Sequence, residues 1–340
     1  MTHRESGKQS FVSAYLTMMK CQNRGNMKKD DGRMKKNRIG VIGLGGQSAF
    51  LGCDHFAAPG ETIPCRELFF EPGGKGYNQA VACARMGVDT VFIGAVGKDD
   101  NGKACREDLL RQGVIPCLIE KDIPTAYAVI MTDVSGENTV SVYPGAAKAI
   151  TPEDLYSEKV YAQLQECTCL LLQNELSPEC LLEACKIGQE LKIPVIFNPA
   201  PAENIPVEAI RGSTLITPNY GEAKHLAGFG EEEQPTGEEL AERFQKQGVS
   251  SAVITMGGQG ALVMEQGKVQ KIPAFSCGQA VDTTGAGDTF NGFLTAALSM
   301  GESLCDAARI GAVAAGIGVT RHGAAGSIPT KAEVEKYEKI

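Results

Sequence analysis

The sequence predicts an α/β fold: a doubly wound, mostly parallel sheet flanked by helices, with a second, smaller β-sheet. The first observation is that short apolar strands alternate with helical patterns from about residue 150 onward, as in parallel βαβ units. The second is a composition of 43% hydrophobic and 22% charged residues over 340 residues, which suits a large buried core. The third is a hairpin signal near Ser135-Gly136, outside that alternation.

The elements follow in chain order. A short buried strand at 38–43 is followed by a strand at 90–94 and a helix at 102–112 that ends at Gly113. The later strands are predicted at 169–172, 195–198, 214–217 and 252–255, with helices near 178–190, 220–228 and 236–247 between them. In such a sheet, ligands bind at the carboxyl ends of the strands.

The small sheet is predicted from three alternating segments, at 62–71, 126–132 and 139–143. They place its strands within about 47–72 and 115–145 of a single domain spanning 38–340. The turn Gly43-x-Gly45-x-x-Ser48 approximates a dinucleotide-binding motif, but the third glycine and a following helix are missing. A Rossmann-type nucleotide site is therefore not favoured here.

Composition limits the function classes. The net charge of −8 argues against nucleic acid as the main partner. No run of 18 apolar residues is present, so no membrane span or membrane partner is expected. The 12 cysteines form no Cys-x-x-Cys pair and the four histidines show no metal-ligand spacing. We expect reduced, buried thiols in a cytoplasmic protein.

Residues 1–37 differ from the rest of the chain. The segment 1–38 holds ten Lys and Arg against three Asp and Glu, without the continuous apolar stretch of a secretory signal. We interpret it as a disordered extension, a targeting segment, or sequence upstream of a true start at Met27 or Met34.

The stretch Asp282-Thr-Thr-Gly-Ala-Gly-Asp-Thr-Phe-Asn291 opens a long apolar helix. Gly285, Ala286 and Gly287 are then at a helix N-terminus, where free amides and the helix dipole attract anions. Asp288 lies among these donors, where accepting a proton from an attacking hydroxyl would be a suitable role for a carboxylate. The alternative is that Asp288 only caps the helix and the glycines only form the turn.

A second glycine-rich stretch, Pro72-Gly-Gly-Lys-Gly-Tyr-Asn-Gln, opens an Ala-rich helix that ends near Gly87. The glycines predict either close approach of a ligand or tight packing of the helix on the sheet. The spacing is not that of a Walker loop.

These two stretches resemble the signatures of the ribokinase-like sugar kinases, the PfkB family. Nine contiguous positions match at 282–290, and the signatures occur in the expected order about 200 residues apart. The resemblance implies that Asp288 is the catalytic base and that the backbone of 285–288 forms an anion hole. It also implies that the small sheet is a lid over the sugar and pairs between subunits of a homodimer.

The resemblance further assigns binding residues by position. The sugar site comprises Gly73, Gly74, Lys75, Gly76, Asn78, Glu175 and Asp288. The nucleotide site comprises Asn219, Thr255, Gly257, Gly258, Gly260 and Gly287. Glu222 supports Mg²⁺ indirectly, and K⁺ is held mostly by backbone at Asp282, Thr284, Gly318, Arg321, Gly323 and Ser327. For Asn219 and Glu222 the alternative is a helix cap with a first-turn acid, and for 255–260 a plain hairpin turn.

The sequence departs from the family at one place. The Asn-x-Asp that binds sugar hydroxyls after the first strand falls on Gly46 and Ser48. Gln47 or Asp54 would be the substitutes if the loop shifts in register. Catalysis is thus better supported than the identity of the sugar.

Taken together, we expect an ATP-dependent kinase that phosphorylates a primary hydroxyl of a sugar, ribose or a related pentose, with Mg²⁺ and K⁺ as cofactors. Two alternatives remain open. The same fold could act on a nucleoside, fructose or a sugar phosphate, or it could serve as a non-catalytic sugar-binding regulator.

Overall fold

The computed structural model describes residues 37–337, and the interpretation of 1–36 as an extension lies outside the described residues. In chain order the strands are β1 (Arg38–Ile42), β2 (Gly46–Cys53), β3 (Cys65–Gly73), β4 (Asp89–Gly97), β5 (Ile115–Lys121), β6 (Ala126–Thr132), β7 (Asn138–Tyr143), β8 (Cys169–Gln173), β9 (Val195–Asn198), β10 (Leu215–Ile216), β11 (Ser251–Thr255), β12 (Ala261–Glu265) and β13 (Lys268–Ile272).

The helices are α1 (Lys75–Arg85), α2 (Asp100–Arg111), α3 (Pro152–Leu155), α4 (Glu158–Glu166), α5 (Pro178–Glu190), α6 (Val207–Gly212), α7 (Tyr220–Leu226), α8 (Gly237–Lys246), α9 (Ala286–Met300), α10 (Leu304–Gly318) and α11 (Lys331–Val334). Two 3₁₀ turns occur, at Gly145–Ala149 and Gly257–Gln259.

The large sheet has nine strands in the order β13-β12-β11-β10-β9-β8-β1-β4-β5. Pairing is parallel from β5 to β11 and antiparallel only for β12 and β13. β8 is buried along its whole length, because helices cover both faces of the sheet. The predicted doubly wound, mostly parallel architecture is confirmed.

Two layers of helices pack on the sheet. α1, α9 and α10 contribute to one apolar cluster with Tyr77, Phe290 and Phe293. α4, α5 and α8 contribute to the other apolar cluster, with Leu164, Leu181 and Leu240. The short helices α3, α4 and α6 were not predicted from the sequence, since four to nine residues give little periodicity.

The crossing of α1 and α9 is unusually close, and it determines where the site lies. A Cβ added at Gly292 would lie 2.3 Å from the Ala82 Cβ and 2.8 Å from the carbonyl oxygen of Gln79. Only glycine allows this separation between the helices. The first turns of α1 and α9 are therefore brought side by side.

The smaller sheet has four strands in the order β3-β2-β6-β7. This sheet, which we call the lid sheet, confirms the predicted separate small sheet. The strand predicted at 62–71 begins instead at Cys65 and reaches Gly73. The predicted lid range 115–145 also began too early, because Ile115–Lys121 pairs in parallel with β4 at the edge of the large sheet. The crossover through α2 places it there, with Cys117 and Leu118 buried.

The lid sheet is anchored where β6 begins. The Asp99 carboxylate accepts hydrogen bonds from the backbone N–H of Thr125 at 2.8 Å and from its hydroxyl at 2.5 Å. The Thr125 hydroxyl oxygen in turn accepts from the N–H of Gly97 at 2.9 Å. The carboxylate that caps α2 therefore also fixes the lid sheet to the end of β4.

The cysteines within residues 37–337 are free thiols, most of them buried, as the sequence predicts. Cys65 and Cys277 are exposed exceptions. In the same range, no helix is long and apolar enough to cross a bilayer.

Candidate active site

The N-terminus of α9 forms an open turn. Gly285 adopts a left-handed conformation with φ of 73°, which favours glycine, and a Cβ added at Gly287 would meet nothing within 4 Å. Helix geometry leaves the first-turn amides without intrahelical acceptors. One of them, the N–H of Ala286, donates instead to the carbonyl of Thr283 at 3.2 Å. Of the amides predicted to form an anion hole at 285–288, that of Ala286 is therefore already engaged, whereas those of Gly287 and Asp288 belong to the open first turn.

Asp288 is the buried carboxylate of this turn, with 8% of its surface exposed. Its Oδ2 accepts a hydrogen bond from Asn78 Nδ2 and its Oδ1 one from Gln79 Nε2, both at 2.9 Å. Burial raises the pKa of Asp288 above its ordinary value, while the charge of Lys75 and the two hydrogen bonds oppose the rise. A raised pKa suits a general base, provided that the group remains ionised.

Gln79 orients this carboxylate through a buried network. Its Nε2 also donates to Asn198 Oδ1 at 3.0 Å, and its Oε1 accepts from Gln173 Nε2 at 2.7 Å. Asn198 Nδ2 donates in turn to the carbonyl of Thr217 at 2.8 Å. The sequence analysis assigned no role to Gln79 or Gln173. Two sequence signals could have identified them. Gln79 is a polar residue in an Ala-rich helix, and Gln173 is a polar residue at the end of an apolar strand.

Lys75 is the cation of the site. Burial alone would lower the pKa of Lys75, but the nearby carboxylates of Asp288, Glu175 and Glu222 outweigh burial and raise it. Glu175 Oε2 accepts the backbone N–H of Lys75 at 3.1 Å. Burial also raises the pKa of Glu175 to about 7. The charges of three acids from separate elements thus act on one ammonium group.

The glycines of the second motif divide into two groups. A Cβ added at Gly74 would lie 2.7 Å from the carbonyl oxygen of Leu44, and one at Gly76 would lie 2.8 Å from the Gly43 Cα. Both glycines therefore permit close packing, and their contact with a sugar stays a prediction. Gly73 instead lies next to the Asn78 side chain, with 3.9 Å between its added Cβ and Asn78 Oδ1.

The predicted nucleotide residues lie at the ends of β10 and β11. Asn219 and Glu222 form a capping box on α7, with both backbone-to-side-chain bonds at 2.8 Å, so the predicted cap is present. Asn219 also bridges to Thr255, the last residue of β11. Burial raises the pKa of Glu222, against the hydrogen bond from Asn219 and the charge of Lys75. Glu222 therefore lies close to the cation of the site.

The loop after Thr255 is the turn between antiparallel strands β11 and β12. A Cβ added at Gly257 or Gly258 would meet nothing within 4 Å, so this surface is open. Gly260 has φ of 89° and its added Cβ would lie 2.1 Å from the Ile272 carbonyl oxygen, so its role is in the turn itself.

The residues predicted to hold K⁺ come together between the start of α9 and the loop after α10. Asp282 joins the two segments, since its carboxylate accepts the N–H of Thr284 at 2.8 Å and that of Gly323 at 3.0 Å. The N–H of Arg321 donates to the Gly318 carbonyl at 3.0 Å. The Arg321 guanidinium donates to the Ser327 carbonyl at 3.5 Å. The carbonyls of Gly318 and Ser327 therefore both accept a hydrogen bond from Arg321.

A dedicated cage for a divalent metal is absent from the described part of the chain. Within residues 37–337, no three His, Cys, Asp or Glu side chains are grouped to hold a metal ion.

The fold and this site define a phosphoryl-transfer enzyme of the sugar-kinase type, and comparison with known families agrees. Residues 48–331 match the model of the pfkB family carbohydrate kinases. The chain belongs to this family.

Similar curated proteins include bacterial ribokinases. The Haemophilus influenzae ribokinase is 34% identical over 304 residues, which cover 89% of this chain and 98% of that protein. The Bacillus subtilis ribokinase is 36% identical over 302 residues, which cover 88% of this chain and 98% of that protein.

Similar solved structures include ribokinases. That of Thermotoga maritima has a TM-score of 0.82 and 37% identity over 89% of this chain and all of that one. The Arabidopsis thaliana ribokinase, complexed with ribose and ATP, has a TM-score of 0.80 and 28% identity. The match covers 90% of this chain and 99% of that one.

Replacing the carboxylate tests its role as base. We expect Asp288→Asn to reduce kcat about 10²- to 10⁴-fold, because the amide cannot accept the proton while its size is unchanged. Nucleotide binding and thermal stability should stay close to those of the parent protein. Asp306→Asn, the same carboxylate-to-amide change in the first turn of α10, is the control and should keep full activity. Activity near the parent level in Asp288→Asn would contradict the assignment.

Removing the Gln79 hydrogen bond tests how the carboxylate is tuned. That bond lowers the pKa of Asp288, so Gln79→Leu should raise it and move the acid limb of the kcat/KM profile to higher pH. The rate should therefore fall most at low pH and recover as the pH rises. The measurement is kcat/KM between pH 5 and 9. An equal loss at every pH would indicate only a packing defect.

Proposed function

We propose that this protein transfers the γ-phosphoryl group of ATP to a primary hydroxyl of a pentose, ribose or a close relative. The observation that carries the proposal is the buried Asp288 carboxylate beside the open N-terminus of α9. The relatives named as ribokinases, one of them complexed with ribose and ATP, support the substrate class.

The first step is a proton transfer. Asp288 takes the proton of the primary hydroxyl, and the oxygen then attacks the γ-phosphorus of ATP in line with the leaving oxygen. The bond to the β-phosphate oxygen breaks, and ADP and the sugar phosphate are released. The bonds from Asn78 and Gln79 hold the carboxylate in a fixed orientation for this transfer.

The second contribution is charge stabilisation. The amides of Gly287 and Asp288 point from the positive end of the α9 dipole and would bind the transferred phosphoryl oxygens. The open surface over Gly287 leaves room for that group. The charges of three nearby acids favour the protonated form of Lys75, and we assign this ammonium group to phosphate oxygens in the complex.

The residues predicted for the nucleotide, Mg²⁺ and K⁺ have the following roles in the proposal. Asn219, Thr255 and the open Gly257-Gly258 surface would take the nucleotide. Glu222 would position Mg²⁺, which supplies neutralisation of the phosphate charge when bound. The carbonyls near Asp282 and Gly318 would hold K⁺, a weakly hydrated cation suited to oxygen ligands.

Other substrates are less well supported. A sugar phosphate needs a positive group in the lid sheet, but Arg66 there pairs with Asp54 at 2.9 Å and donates to the Cys53 carbonyl at 2.7 Å. A non-catalytic regulator would not need Asp288, Lys75 and the open turn together. A nucleoside or fructose remains an alternative for the test below.

We also propose that the lid sheet pairs between two copies of the chain in the cytoplasm. Its outer strands expose Leu68, Phe70 and Tyr143 on the face opposite to that of Ser48 and Glu71. Exposed apolar side chains on one face of a sheet are typical of an interaction site, and symmetric dimers are the commonest assemblies. The free thiols suit a reducing compartment.

Light scattering tests the pairing. We expect about twice the chain mass of 36.0 kDa for the parent protein. Phe70→Glu should shift the mass toward the monomer, because the charge would be buried in the interface. Val269→Glu, at an exposed apolar position on β13, is the control and should leave the mass unchanged. A monomeric parent protein would contradict the proposal.

A substrate panel tests the activity. ADP release should be fastest with ribose or a related pentose, and slower by about tenfold or more with a nucleoside, fructose and a sugar phosphate. Replacing Na⁺ by K⁺ should increase turnover. Sugar binding without ADP release would favour the non-catalytic alternative, and a nucleoside as best substrate would overturn the pentose assignment.

A further inference from the structure

The sugar site lacks a carboxylate where related kinases are expected to have one, on β2. Gly46 cannot be replaced, because its added Cβ would lie 2.2 Å from the Ala126 carbonyl oxygen. Ser48 provides a buried hydroxyl but no charge. The two substitutes considered from the sequence do not fit. Asp54 is exposed and paired with Arg66, and Gln47 points to the opposite face of the strand from Ser48.

A different carboxylate lies next to that place. Glu71 on β3 is directly opposite Ser48 in the antiparallel pair β2–β3. Opposite residues of such a pair point to the same face, with Cβ atoms about 4.5–5.5 Å apart. The acid missing from β2 is therefore present one strand across, on the same face of the lid sheet.

Glu71 is held in a nest of backbone amides. Its Oε1 accepts the N–H of Ala324 at 2.8 Å, and the amides of Ala325 and Gly326 also donate to the carboxylate. Each carboxylate oxygen has two lone pairs, so three amide bonds leave capacity for a further donor. The nest fixes the carboxylate without using all of its acceptor sites.

The position of this nest is beside the catalytic turn. An added Cβ at Gly285 would lie 3.1 Å from the Ala324 Cα, and one at Gly73 would lie 3.0 Å from Ser48 Oγ. Gly73 also lies next to the Asn78 side chain, and Asn78 donates a hydrogen bond to Asp288. Glu71 and Ser48 thus lie across from the base, along the edge of the same cleft.

A second observation indicates a ligand at this edge. Asn78 is 5% exposed and bonds to Asp288 through its Nδ2, yet its Oδ1 is buried without a partner. A buried acceptor of this kind is costly unless a donor reaches it. A sugar hydroxyl beside Gly73 would supply that donor.

We propose that Glu71 is a specificity-determining residue that accepts hydrogen bonds from sugar hydroxyls distant from the primary hydroxyl. Its ligand is a vicinal diol of a polyhydroxy sugar, and Ser48 is a neighbouring partner. This inference rests on the proposed function and concerns the substrate end opposite Asp288.

The experiment compares Glu71→Gln with the parent protein on ribose and 2-deoxyribose, measuring kcat and KM separately. We expect KM for ribose to rise roughly 10- to 100-fold, with a smaller change for 2-deoxyribose and a nearly unchanged kcat. Glu67→Gln, an exposed acid on the same face of β3, is the matched control and should change neither constant. A carboxylate restored on β2 by Ser48→Asp in the Glu71→Gln protein should recover part of the ribose KM.

Other outcomes overturn the inference. If Glu71 only fastens β3 to the loop at 323–326, Glu71→Gln will lower thermal stability and affect both sugars equally, and Ser48→Asp will rescue neither. If the parent protein releases no ADP, the proposed function fails first, and sugar binding is then measured by calorimetry. Ribose binding that Glu71→Gln weakens would still support the Glu71 assignment. Absence of ribose binding by the parent protein would overturn both.

Discussion

The burial of one carboxylate at the start of a helix is the constraint on which the site depends. An isolated buried charge is strongly unfavourable, so Asp288 stays ionised only with compensation. The positive end of the α9 dipole, the Lys75 ammonium and two amide donors provide it. The helix dipole and the Lys75 ammonium also favour a bound anion, so part of what stabilises the carboxylate suits the proposed phosphoryl transfer.

That constraint explains much of the surrounding architecture. The donors to Asp288 come from α1, and they reach it because Gly292 lets α1 and α9 cross closely. Gln79 is fixed in turn by Gln173 and Asn198, which end the adjacent parallel strands β8 and β9. The carboxyl edge of the sheet thus orients the base through a single glutamine. In the proposed function the lid sheet would cover the sugar, where water would compete with the sugar hydroxyl.

Local patterns made part of this predictable from the sequence. The turn at Gly285, the helix after it and the role proposed for Asp288 follow from contiguous residues, and the parallel strands follow from their apolar runs. The Gln79–Asp288 bond joins residues 209 positions apart, so no local pattern predicts it. The pairing of Glu71 with Ser48 depends on the register of β2, a strand whose Gly-rich sequence gives little β signal. The predicted lid range 115–145 also included Ile115–Lys121, which pairs with β4, because strand pairing is set by the crossover and not by the local sequence.

The most direct test of the account is the structure of the protein with a sugar acceptor and a non-hydrolysable ATP analogue. The account predicts the primary hydroxyl within about 2.6–3.2 Å of an Asp288 carboxylate oxygen. It also predicts the terminal phosphate against the amides of Gly287 and Asp288. A sugar whose hydroxyl contacts another group, with Asp288 turned away from it, would contradict the central claim.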